Sequence, residues 1–186
     1  MRCLGGVGTL GNSLFVRYLV ISVYIRGMAY SAIRIANRIL DISEEYGDAL
    51  TPIQLIKLAY ISHGFSLAAL DRPLFFEPIE AWKYGPVVPK IYEQTKKFGR
   101  NPIMGRLDLP VLVEKVKKLP TTITDQDEAL LRSVISRYGS LNGIQLSNLT
   151  HQPDTPWDHF YDPANTNPKI SDEAIKQHYR GLLESE

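Results

Sequence analysis

Residues 51–70, "TPIQLIKLAYISHGFSLAAL", decide the fold. Thr51 offers a side-chain oxygen to a helix N-terminus, and Pro52 suits the first helical position, where a missing N–H costs nothing. Beyond them, apolar side chains occupy almost the whole helical circumference instead of one stripe. Such a helix has no solvent face and is stable only when neighbours sheath it. The stretch therefore predicts a central buried helix with the rest of the chain packed around it.

The segment before it predicts one such neighbour. From Ser31 to about Tyr46, Ala32, Ile35, Ala36 and Ile39 line one face. Arg34, Asn37, Arg38, Asp41 and Glu45 recur at three- and four-residue steps on another, and Gly47 supplies the stop. After the central helix, "LFFEPIEAWKY" (74–84) is strand-like, and Pro73 and Pro78 confine it to an edge or an irregular strand. Tyr84-Gly85-Pro86 reads as the turn that ends it. Pro89 opens a helix running to about Phe98, which Gly99 closes.

Residues 100–110 read as loop, and "VLVEKVKKL" as a weak short helix. Thr124, followed by Asp125, Asp127 and Glu128, starts a helix that continues to Tyr138. A short helix around Ile144–Leu149 follows. Thr155-Pro156 caps a turn holding Trp157 and Phe160, and "DPANTNPK" is loop. Ser171 caps the last helix, with Ile170 and Ile175 placed as a hydrophobic staple. The class is mainly α (α+β): a compact helical domain with a small irregular β-hairpin or two- to three-stranded sheet.

The 186 residues suit one domain with an extension. Residues 1–27 read as an N-terminal extension, non-native or from an upstream start, with Met28 as the working start; an extra strand is the other reading. The apolar run "SLFVRYLVISVYI" contains Arg17 and falls short of the roughly 20 apolar residues of a membrane span. Residues 28–186 form the single domain. Formal net charge is +1 overall, and from Met28 onward 18 basic residues face 20 acidic ones. That balance argues against nucleic acid as the main partner. Cys3 is the only cysteine, which excludes a disulfide within the chain and fits a reducing, cytoplasmic setting.

Few residues invite chemistry. His63 lies on the buried helix and reads as a satisfied core histidine. His151, Asp154, Asp158 and His159 match no common metal spacing, and Pro153 and Pro156 break any single helix that would align them. The simpler role for His151 and Trp157 is to lock their loop onto the core. No nucleophile elbow, phosphate loop or zinc-protease motif appears, so no catalytic residue, metal or cofactor is assigned. The helices from 125 to 149 could form a helix-turn-helix, but "NGIQLSNLT" has no Arg or Lys to meet phosphate or guanine.

"EAWKYGPVVPKIYEQTKKFG" (80–99) remains the most distinctive stretch. Its structural reading is a strand-to-helix connection packed by aromatics. Its functional reading is a rigid ridge that presents side chains to a partner, because pre-ordered turns lose little entropy on binding and Trp and Tyr are enriched in hot spots. Partner contact is expected of Trp82, Lys83, Tyr84, Gly85, Pro86, Val87, Lys90 and Tyr92, with Pro89, His151 and Trp157 as structural residues. If the run is a strand, Trp82 and Tyr84 share one face, at least partly exposed, and Ile79 and Ala81 face the core. The opposite phase is open, since Trp is usually well buried. Of the aromatics, Trp82 is expected mostly in the core, with Tyr84, Lys83 and Lys90 nearer the surface.

Three blocks carry a family resemblance: "TPIQLIKLAYISHGFSLAA" (51–69), "PLFFEPIEAWKYGPVVPKIYEQTKKFG" (73–99), and "LSNLTHQPDTPW" with the capped final helix (146–183). Together they resemble the Panacea domain, the SocA-like antitoxin domain first noted in phage-associated GepA-type proteins. Ala81, Trp82, Tyr84, Gly85, Pro86, Val87, Pro89 and Tyr92 form the most specific part of the match. The resemblance implies a mainly helical fold with a small sheet. It also implies a bacterial or prophage antitoxin that neutralises a cognate toxin by direct binding, in one branch as an adaptor delivering the toxin to a ClpXP-type protease. It implies no catalytic residues. A DNA-binding regulator of its own operon is the alternative, and a hydrolase or metal enzyme built on the His151 region a third.

Overall fold

The computed structural model describes residues 29–185. The expected extension over 1–27, the start at Met28 and Cys3 lie outside the described residues. Eight helices and three strands occur among those described. In chain order they are α1 (Ala32–Glu45), α2 (Pro52–Leu70), β1 (Ile79–Trp82), β2 (Gly85–Val87), α3 (Pro89–Thr95), α4 (Val111–Lys117), α5 (Asp125–Tyr138), α6 (Gly143–Thr150), α7 (Pro156–Phe160), β3 (Lys169–Ile170) and α8 (Asp172–Glu184). A 3-10 turn, Lys96–Phe98, extends α3 to Gly99. The fold is mainly α with a small three-stranded antiparallel sheet.

Helix α2 is the axis. Gln54 accepts from the Thr51 N–H at 3.0 Å and caps its start. By length and composition α2 passes as a membrane span, yet α8, α5, α1 and α6 sheath it. Leu55, Leu58, Ala59, Tyr60 and Ile61 are buried within that sheath. Helix α8 approaches most closely, because Gly64 has no Cβ and the Tyr179 ring lies where one would stand. The same ring meets Phe65 and Tyr60 edge-on at centroid distances of 5.0 and 5.9 Å. Ile170 and Ile175 are both buried at the head of α8, as a hydrophobic staple requires.

A buried polar hub ties α5 to distant parts of the chain. Asp127, fully buried, accepts from Arg72 Nη2 at 2.6 Å, from the Tyr30 hydroxyl at 2.8 Å and from Thr124 Oγ1 at 2.7 Å. Helix α4 is fastened to α1 in a similar way. Ser31 Oγ and Arg34 Nη2 each donate to the buried Glu114 carboxylate at 2.6 Å.

The sheet departs from the sequence reading in two ways. The expected turn at Gly85-Pro86 is a strand instead: the chain reverses at Lys83-Tyr84, and Trp82 pairs with Gly85 and Ala81 with Pro86. Gly85 has φ +99°, whereas Lys83 and Tyr84 keep negative φ. The register is one-to-one through Gly85, and the left-handed conformation that a glycine adopts without steric cost opens β2 directly after the turn. Second, β1 is central and not an edge, in the order β2-β1-β3. Pro73 and Pro78 lie before β1, so its ladder bonds survive. The proline within the sheet, Pro86, sits on edge strand β2, where a missing N–H is tolerated.

Candidate partner-binding surface

The hairpin is the best-anchored exposed feature near the aromatic stretch. Ile79 and Ala81 are buried, whereas Glu80 and Trp82 are partly exposed, which fixes the phase of β1. At the tip, Tyr84 is 69% exposed with Lys83 beside it, its ammonium 5.5 Å from the phenol ring centre. Trp82 packs edge-on against Tyr92 at 4.8 Å and donates its indole N–H to Glu80 at 2.8 Å. Lys90 is exposed on the first turn of α3.

Three helices grip the hairpin backbone. Lys57 of α2 donates to the carbonyls of Tyr84 at 2.8 Å and Pro86 at 3.0 Å. Ser147 of α6 donates to the Tyr84 carbonyl at 2.9 Å. Trp157 of α7 donates its indole N–H to the Trp82 carbonyl at 2.7 Å. On the far side, the Ala81 N–H reaches the Pro168 carbonyl at 2.8 Å. A turn held this way loses little freedom when something binds it.

Lys57 is the residue that sequence reasoning missed. Its side chain is almost wholly buried, and burial pushes its ammonium down to about 7 from an ordinary 10.5. A lone cation in an otherwise apolar helix was the available signal. Lys57 also explains Gly85, because a Cβ there would collide with Nζ. Besides its positive φ, Gly85 is needed for the close approach.

The expected contact residues divide accordingly. Lys83, Tyr84 and Lys90 are exposed, and Trp82 and Tyr92 are half-buried. Gly85 and Pro86 are buried and shape the hairpin, whereas Val87, also buried, shows an edge of its side chain to the groove beside it. Pro89 starts α3 as read. His151 stacks on Trp157 at 3.6 Å, and Trp157 on Tyr161 at 4.6 Å, which locks the loop after α6 onto the hairpin. Beside the tip runs a groove of about 520 Å³ between α2 and the hairpin, with Ile53, Ile56, Val87 and Tyr92 in its wall.

The other chemical readings gain no geometry. Among the described residues no group of three or more His, Cys, Asp or Glu side chains converges as a metal site would require. Asp158 instead accepts from the Asp154 N–H at 3.2 Å. His63 is buried against Phe75, with Nε2 3.3 Å from Asp172. Its Nδ1 has no partner, so this core histidine is only half satisfied.

Comparison with known proteins gives a consistent family. The family model "Antitoxin SocA-like, Panacea domain" matches residues 55–158. That span contains Lys57, Ser147 and Trp157, the three side-chain donors to the hairpin carbonyls. The chain is 30% identical over 152 residues to the antitoxin SocA of Caulobacter vibrioides (strain NA1000 / CB15N), an overlap of 78% of this chain and 80% of that protein. No solved structure matches.

Proposed function

Because the chain belongs to the SocA-like Panacea family, we propose that it is a non-enzymatic antitoxin of the cytoplasm, which neutralises a cognate toxin by direct binding through the hairpin face. The observation that carries this reading is the contrast at Tyr84: a ring 69% exposed on a carbonyl fixed by Lys57 and Ser147. Exposed aromatic side chains on a pre-ordered backbone are what binding hot spots are made of. Trp82, Lys83, Lys90 and Tyr92 surround that ring and complete the face.

Binding can neutralise in two ways. The antitoxin can block the toxin, or it can act as an adaptor that hands it to a ClpXP-type protease, as the family resemblance implies. Co-expression with the neighbouring gene tests the shared premise. Growth rescue and co-purification of the two products support it, and rescue without any physical association refutes it. Toxin half-life in cells with and without the protease then separates the two modes.

A further inference from the structure

We propose that the groove between α2 and the hairpin receives one extended segment of the partner protein, with an apolar side chain on the groove floor and carboxylates flanking it. This rests on the reading that the hairpin face meets a protein toxin. The floor is aliphatic and aromatic, formed by Ile53, Ile56, Val87 and Tyr92, and Ile53 is 38% exposed. About 520 Å³ lies in the range of pockets that hold a drug-sized ligand, room for a few side chains of an extended segment.

The charged residues that line the groove itself have one sign. Lys57, Lys83 and Lys96 line the groove, and no Asp or Glu is among the described residues that do. Lys57 is committed to the hairpin carbonyls, which leaves Lys83 and Lys96 on the rim. Lys96 pairs with Glu93 at 2.7 Å, but both side chains are more than half exposed. Such a pair is weak, and an incoming carboxylate can displace it. Lys97 and Arg100 continue the positive edge beyond the groove.

Two alternatives fit less well. A partner strand cannot simply add to β2: the carbonyls of Tyr84 and Pro86 already accept from Lys57, and Pro86 has no N–H. Recognition must then use side chains in the groove and not ladder bonds. A single-stranded nucleic acid needs free ring faces for stacking. Trp82 instead lies edge-on to Tyr92 with its N–H taken by Glu80, which leaves Tyr84 as the open ring.

The test uses the full chain and two labelled peptides, Asp-Glu-Ile-Leu-Asp-Glu and Lys-Arg-Ile-Leu-Lys-Arg. Binding is followed by fluorescence anisotropy and by NMR of the Trp82 indole N–H. The acidic peptide is expected to bind, to shift that resonance and to weaken as salt rises. The Lys83→Glu, Lys96→Glu double variant should bind it about tenfold less well at an unchanged melting temperature. Equal affinity for both peptides, no binding of the acidic one, unchanged affinity in the double variant, or displacement by an oligothymidine would overturn the proposal. A peptide result of that kind alongside intact co-purification of the neighbouring gene product removes the groove alone. Acidic-peptide binding without that co-purification removes the antitoxin reading and leaves the groove.

Discussion

Replacing Lys57 with Met tests how the hairpin is held. The methionine fills much of the same space but donates nothing. Tyr84 keeps Ser147 as a donor to its carbonyl, whereas the Pro86 carbonyl loses the donor that Lys57 supplies. An unsatisfied buried carbonyl costs about 1–3 kcal/mol. Against this stands the relief of burying an ammonium, and that part depends on pH. Between about pH 7 and 10.5 the unfolded chain holds the Lys57 proton and the folded chain does not. Stability of the wild type therefore rises with pH across that window and is flat on this account below it. At roughly 1.4 kcal/mol per pH unit the rise is capped at about 5 kcal/mol. The two carbonyls favour the charged form and hold it to a smaller value, a few kcal/mol. Urea unfolding followed by Trp fluorescence at pH 6.5, 7.5, 8.5 and 9.5 in both proteins isolates the effect. The wild-type advantage over Lys57→Met should grow steadily above pH 7. An advantage that stays constant or shrinks as pH rises would show that Lys57 remains charged in the folded state, and the reasoning fails.

Four further expectations follow from the same contacts. Tyr84→Ala should leave the urea midpoint almost unchanged and weaken toxin binding by about 2 kcal/mol or more, read by calorimetry; a large stability loss would place that ring in the core. Gly85→Ala should destabilise by at least about 2 kcal/mol, since positive φ and the Lys57 collision add together; the Lys57→Met background should recover part of that loss. Asp127→Asn leaves Arg72 buried without its counter-charge and should cost about 3–5 kcal/mol in chemical denaturation. A chain started at Met28 should unfold at the same temperature as the full chain by calorimetry, and a drop of several degrees would make residues 1–27 part of the fold.

What was legible was local. Thr51-Pro52, Thr124 and Ser171 announce helix starts because a cap and its helix lie within four residues, and each helix begins where the cap predicts. The all-round apolar character of α2 was likewise a property of a single stretch. The sheet was not legible in the same way. Ile79 pairs with Ile170 across most of the domain, and no local pattern links the two. Gly85-Pro86 carried a strong turn signal that the structure uses otherwise, because the glycine answers to Lys57 on another element. The aromatic cluster was legible as a stretch, since Trp82, Tyr84 and Tyr92 line one groove. Which of its members reach solvent depended on the clamp from α2, α6 and α7, and that clamp exists only in three dimensions.

The packing of α2 against α8 has a consequence for how the protein is made. The apolar helix ends at Leu70, and its closest sheath begins at Asp172. About 100 residues separate them, which at roughly 5–20 residues per second keeps the nascent helix incompletely covered for on the order of 5–20 seconds. During that interval the growing chain offers an adhesive cylinder with no polar side to hide behind. A truncated product that stops short of Tyr179 leaves the α8-facing side of that helix exposed permanently. Ribosome stalling or premature termination late in the message should thus yield a species that chaperones and proteases seize, so that only completed chains accumulate.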